Sequence, residues 1–211
     1  MTERAQRAER WRALAGDLPP AAPDLFEDLL DELARWNRHV HLTAPAAPDA
    51  LAVRIVDDSL LLLPHLRGET ALDIGSGPGI PGLVLAIARP GLAVRTVEAT
   101  GKKVAFTRAF LARHPALPVQ AFQGRAEGKA AEPWGVASTV VSRAFARPEQ
   151  WIPIGAPRVA PGGRLVVTLG ARGGEEGDAS ATRHGLMLAG AWTGQLAGAR
   201  RAFRLYERPT G

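Results

Sequence analysis

Cysteine is absent from this 211-residue chain, which excludes disulfides, thiolate metal sites and thiol nucleophiles outright. Long apolar runs are also missing. None approaches the roughly 20 residues that a membrane-spanning helix requires. The first ten residues, Met1 to Arg10, are charged and lack the apolar centre of a signal peptide. A soluble protein suited to a reducing cytoplasm is expected. Aromatic residues are sparse at 6%, and lysine is scarce beside arginine. Apolar residues still make up 46%, enough for an ordinary core. The length suits one domain with a small helical extension. Formal net charge is +5 and the sequence pI is about 10.6. A positive balance suits a polyanionic partner such as RNA. A mildly basic enzyme with a small substrate satisfies the charge equally well.

Against that background one stretch stands out, Ala71-Leu-Asp-Ile-Gly-Ser-Gly-Pro-Gly-Ile-Pro-Gly82. A short apolar strand carries an acid, Asp73. Glycines then alternate at Gly75, Gly77 and Gly79. Glycine tolerates positive φ and lets a ligand lie against bare backbone. A strand, a Gly-rich turn and a helix is how α/β folds build ligand sites at strand C-terminal ends. A dinucleotide fingerprint needs Gly-x-Gly-x-x-Gly, but Ile80 occupies the third glycine position. Glu98 follows the next strand, about 20 residues beyond the glycines, where nucleotide-binding α/β folds place an acid on ribose hydroxyls. Alone, Glu98 reads as a surface acid. With the upstream glycines, a cofactor role is the stronger reading.

The remaining chain supports that frame. Residues 1–17 are polar and read as helical or frayed. Asp24 suits a helix N-cap or first turn. Leu25, Leu29, Leu33, Trp36 and Val40 follow at helical spacing, widened by Phe26 and Leu30. Leu51 to Leu63 reads as a second helix ended by Pro64. Strands are predicted at 71–74, 92–97, 117–122, 136–141 and 164–169, with helices at 82–88, 102–113 and 148–159 between them. Strands alternating with helices imply a mostly parallel sheet covered on both faces. Gly170 to Ser180 reads as a loop, and a hairpin closes the chain, with Ala202 to Tyr206 as its clearest strand.

The Gly-x-Gly-x-Gly run with Asp73 resembles motif I of class I S-adenosylmethionine methyltransferases. A closer resemblance joins it. Trp36-Asn-Arg-His-Val-His-Leu-Thr43, Val53-Arg54 with Asp58-Ser59-Leu60, the glycine run, Gly101-Lys-Lys-Val104 with Phe106, Gly124-Arg-Ala-Glu127 and Ser142-Arg-Ala-Phe-Ala146 resemble the RsmG (GidB) family, block by block and in order. The resemblance implies a Rossmann-like class I methyltransferase core at 67–211 with a helical extension at 1–66. It implies methylation of a guanine N7 in 16S ribosomal RNA from S-adenosylmethionine.

The resemblance also implies site roles. Asp73, Gly75, Gly77, Gly79, Ile80, Glu98, Ala126, Glu127 and Arg143 fall to the cofactor. Arg143 is in addition the expected catalytic residue, pairing with the methionine carboxylate or donating to guanine O6 or phosphate. Lys102, Lys103, His41 and Asp58 fall to the RNA. Lys102 and Lys103 equally suit a solvated helix start. The expected partner is 16S rRNA or the small ribosomal subunit, with no membrane, no metal and a monomeric chain. The chain departs from the family pattern at His41 (usually Asn), Ile55 (usually His) and Leu169 (usually Lys). Two other readings therefore stand beside the first: a relative acting on another acceptor, and a non-catalytic RNA-binding protein that keeps the fold.

Overall fold

Valine-rich strands separated by helices form a parallel sheet, because each helix carries the chain back across one face. The computed structural model describes residues 1–126, 133–143, 147–169, 175 and 177–210. Among these, seven strands form one sheet: β1 (Thr70–Ile74), β2 (Ala93–Glu98), β3 (Val119–Gln123), β4 (Ala137–Ser142), β5 (Val159–Leu169), β6 (Met187–Leu196) and β7 (Ala199–Glu207). Their order is β3-β2-β1-β4-β5-β7-β6. The first five run parallel, and β7 enters antiparallel between β5 and β6. Chain direction across the sheet reverses between β1 and β4, so the crevice where ligands settle opens at the C-terminal end of β1.

Helices cover both faces. α5 (Gly82–Ala88) and α6 (Gly101–Arg113) follow β1 and β2, and α7 (Pro148–Gly155) precedes β5. Alternation along β1 sorts its side chains. Ala71 joins the buried cluster that holds Leu85 and Val94. Leu72 and Ile74 join the opposite cluster with Trp151 and Ile152.

The N-terminal residues add α1 (Glu3–Ala15) and α2 (Ala22–Asn37). Leu29 and Leu33 of α2 and Trp11 of α1 share one buried cluster with Leu83 of α5 and Phe106 of α6. Trp11 meets Phe26 edge to face at 5.3 Å. Arg7 pairs with Glu27 through two hydrogen bonds of 2.7 and 2.8 Å in a buried setting. The residues read as helical or frayed are thus a docked helix. Its interior side is carried by one large ring and one paired arginine, too few residues for a periodic signal.

Several predicted bounds shift. The helix expected over Leu51 to Leu63 is three segments: α3 (Pro48–Ala52), a π-helical turn over Val53–Asp57 and α4 (Asp58–Leu60). The wide turn accompanies Asp57, whose buried carboxylate accepts from Trp11 Nε1 and Arg10 Nε, both at 2.7 Å. Pro64 does not end the helical path but lies inside a short 3₁₀ turn, Leu63–His65. Val40 lies beyond the end of α2. Of the loop expected over Gly170 to Ser180, residues 170–174 and 176 lie outside the described residues, and its end opens α8 (Asp178–Arg183). Asp178 is held there by Tyr206 at 2.5 Å, a tertiary contact with no local sequence signal. The terminal hairpin is present as β6 and β7. Among the described residues no helix is long and apolar enough to cross a membrane.

Candidate active site

The loop after β1 is tied to the end of β2. Gly75 and Ser76 donate their N–H groups to the Val97 carbonyl at 2.8 and 3.1 Å. Glu98 closes the arrangement: its carboxylate accepts from Gly77 N at 3.0 Å and from Thr100 N at 2.7 Å. Gly75, Gly77 and Gly79 all have positive φ, a conformation that disfavours any side chain. A Cβ built on Gly77 would meet nothing within 4 Å. The bare backbone there faces open space, the kind of cradle that lets a ligand approach closely. Gly79 differs. Its Cβ would meet Leu83 at 2.9 Å and Thr107 at 3.0 Å, so this glycine allows α5 and α6 to close on the loop.

Asp73 supports the loop from beneath. It is wholly buried, and Oδ2 accepts from Gly82 N at 2.8 Å at the start of α5. Its other oxygen, Oδ1, has no hydrogen-bond partner. Burial raises its pKa to about 7, against the opposing pull of the Gly82 bond and of Arg143.

A cleft of about 370 Å³ opens beside the loop, within the usual range for small-molecule sites. Gly75, Ser76, Gly77, Pro78 and Ile80 line one side, and Thr43, Arg54, Ile55, Asp58, Lys103 and Arg143 line the rest. Three cations therefore face one carboxylate, and the cleft favours an anion. Arg143 follows β4 and donates to the Arg54 carbonyl. It also lies 3.8 Å from Asp58. Burial lowers its pKa, while Asp58 and Asp73 pull the other way. Arg54 donates to the Ala44 carbonyl, which fixes the strap that carries Thr43.

Of the residues singled out from sequence, Gly75, Gly77, Ile80, Arg143, Lys103 and Asp58 line this cleft, and Glu98 is bonded to its wall through Gly77. Asp73 and Gly79 lie buried behind the loop. Lys102 is exposed at the start of α6 and does not line the cleft. Ala126 packs toward the cluster on the other side of the sheet. Glu127 lies outside the described residues. His41 lines a separate groove of about 240 Å³ with Asn37 and Arg38, and that groove shares only Thr43 with the first. Thr43 and Arg54, not singled out from sequence, also line the cleft, and Arg201 bonds to its Asp58. Arg54 stood within a quoted block, but nothing local marks Arg201.

Comparison with known proteins identifies the family and the fold. The family model described as "rRNA small subunit methyltransferase G", GidB, matches residues 23–187. A protein of Anaeromyxobacter sp. (strain Fw109-5) named Ribosomal RNA small subunit methyltransferase G is 46% identical over 176 residues, covering 80% of each chain. Among solved structures, the apo S-adenosylmethionine-dependent methyltransferase SibL superposes with a TM-score of 0.60 at 15% identity, over 88% of this chain and 70% of that one. An O-methyltransferase from Bacillus cereus in complex with SAH gives 0.58 at 15% identity, over 86% and 90%. These likenesses carry the fold, and the match across 23–187 carries the family. The chain belongs to the GidB family, rRNA small subunit methyltransferase G, and is an S-adenosylmethionine-dependent methyltransferase of the class I, Rossmann-like fold.

Proposed function

We propose that the chain methylates a guanine N7 of 16S ribosomal RNA, acting as a monomer on RNA or on the small ribosomal subunit in the bacterial cytoplasm. One observation carries this reading. The glycine loop tied to Glu98 opens into the same cleft as Arg54, Lys103 and Arg143. A backbone cradle and a polyanion-facing cluster share one space.

The cofactor residues of this proposal are Gly75, Gly77, Ile80, Glu98 and Arg143, with Ala126 and Glu127 assigned by family resemblance. Asp73 and Gly79 serve by shaping the loop. The open space at Gly77 and the paired acceptors of Glu98 fit a nucleoside-bearing cofactor. When bound, S-adenosylmethionine supplies a methyl group on a sulfonium centre. Guanine N7 presents a free lone pair, so no residue need act as a general base and no metal is called for. The task left to the chain is alignment, which can supply much of the rate by itself. Arg143 is suited to it. Its guanidinium is anchored on the Arg54 carbonyl and keeps donors for a carboxylate, guanine O6 or phosphate. Lys103 and Asp58 are assigned to the RNA side of the cleft, and Lys102 and His41 to its flanks.

We assign residues 1–66 to a helical extension and 67–211 to the methyltransferase core. The shared cluster of Trp11, Leu29, Leu83 and Phe106 supports a docked extension. The test is mass mapping of 16S rRNA from a deletion strain with and without this protein. One guanine should gain a methyl group only when the protein is present. If no methylated guanine depends on it, the acceptor is something else, and the apolar Ile55 in the cleft wall becomes the first place to look.

A further inference from the structure

Arg201 comes from β7, about 140 residues beyond the π-helical turn, yet it ends on Asp58. Its Nε donates to Oδ1 at 2.6 Å and its Nη2 to Oδ2 at 3.2 Å. This paired contact spends one edge of the guanidinium. Nη1, on the other edge, has a single long contact of 3.3 Å to the Arg200 carbonyl. The Arg201 side chain is 29% exposed, whereas Asp58 is 14% exposed. Asp58 lines the cleft and holds one edge of the Arg201 guanidinium beside it, and Nη1 keeps further donor capacity.

Arg201 stands on the β6–β7 hairpin. β6 and β7 are joined by Ala197 and Gly198, both at positive φ, with Leu196 paired to Ala199. That two-residue turn matches the strand twist and carries Arg201 opposite Gly194. Asp58 is also 3.8 Å from Arg143. One carboxylate thus sits between two arginines, and with Arg54 and Lys103 lining the same cleft a surplus of positive charge remains. An unspent guanidinium edge beside such a cleft matches the paired oxygens of a phosphodiester.

We propose that Arg201 is a phosphate-binding residue for the RNA strand whose guanine enters the cleft, with Asp58 as its positioning residue. The proposal rests on the RNA reading above and adds the C-terminal hairpin to the substrate surface. The test compares wild type, Arg201→Ala, Arg201→Gln and Arg201→Lys. Binding of small ribosomal subunits from a deletion strain is followed across a KCl series, alongside affinity for S-adenosylmethionine. Loss of one phosphate contact should weaken RNA binding about tenfold and flatten the salt slope by about one unit. Arg201→Lys should recover the slope, and cofactor affinity should stay within about twofold of wild type. Should Arg201→Ala fail to fold, Arg201→Gln against Arg201→Lys isolates the charge at similar bulk. A wild-type slope in the uncharged variants overturns the proposal. So does an equal loss of cofactor and RNA affinity, the mark of a structural role. A wild-type protein that binds the particles salt-dependently but transfers no methyl group removes the acceptor reading alone. One that does not bind them removes both.

Discussion

Gly77 and Glu98 are joined directly. The backbone N–H of the middle glycine donates to the carboxylate at the end of β2 at 3.0 Å. The same carboxylate holds Thr100 N at 2.7 Å. Two separate sequence signals thus form one local structure, in which the acid sets the shape of the turn that the glycines permit.

Gly77→Val tests that turn. The new side chain would enter open space, and φ of +57° would cost about 1–2 kcal/mol of strain. The expected outcome is a modest fall in melting temperature with at least a hundredfold loss of affinity for S-adenosylmethionine by calorimetry. Unchanged affinity would remove the loop from the cofactor site.

Arg143→Ala should lower methyl transfer about 10²-fold, as expected when a positioning contact near the reacting atoms is lost. The variant also removes a donor from the Arg54 carbonyl, so some fall in stability should accompany it. Single-turnover rates at saturating RNA and cofactor separate the two effects. A wild-type single-turnover rate would leave Arg143 with a structural role only.

Asp73 makes stability depend on pH. Its pKa stands at about 7 in the fold against an ordinary 3.8, so the native state keeps this proton where the unfolded chain has lost it. The contribution is complete below about pH 4 and is lost as pH rises to about 7. Three pKa units correspond to about 4 kcal/mol at most. Asp73→Asn should lack that decline, so its stability relative to wild type should improve between pH 4 and 7. Parallel denaturation profiles for the two proteins would contradict the assignment.

Trp11→Ala should cost about 3–5 kcal/mol, because the ring is fully buried and its N–H satisfies the buried Asp57. Trp36→Ala should cost less. That ring is only half-buried at the end of α2, although it meets Phe106 at 5.7 Å. Equal urea midpoints for wild type and Trp11→Ala would mean that α1 is a loose appendage.

Ile55→His with Leu169→Lys should raise methyl transfer to small ribosomal subunits, measured with labelled cofactor, if the acceptor is the RNA of the family. Ile55 is 1% exposed, so the imidazole should also lower stability by about 1–3 kcal/mol unless it finds a partner. A fall in activity with the fold retained would show that this chain has adapted to an apolar cleft wall.

Most of the parallel core was legible because its signals are local. The runs that end at Ile74 and Val97, the stop at Pro90 and Gly91, and the glycine spacing each read out within a few residues, since strand alternation, helix punctuation and positive φ are properties of short segments. The family blocks singled out the glycine loop and Arg143, which line one cleft, on the same basis. What tertiary structure alone decided lies where distant residues meet. Trp11 and Arg10 converge on Asp57 and accompany a π turn. Asp178 is bound by Tyr206, which marks a helix within an expected loop. His41 and Arg143 fall in different grooves, although both belong to blocks of one family pattern. Arg201 reaches Asp58 across most of the chain. Such pairings answer the need of buried or half-buried charges for partners. That need is met by whichever residues the sheet order brings together, which no short stretch of sequence specifies.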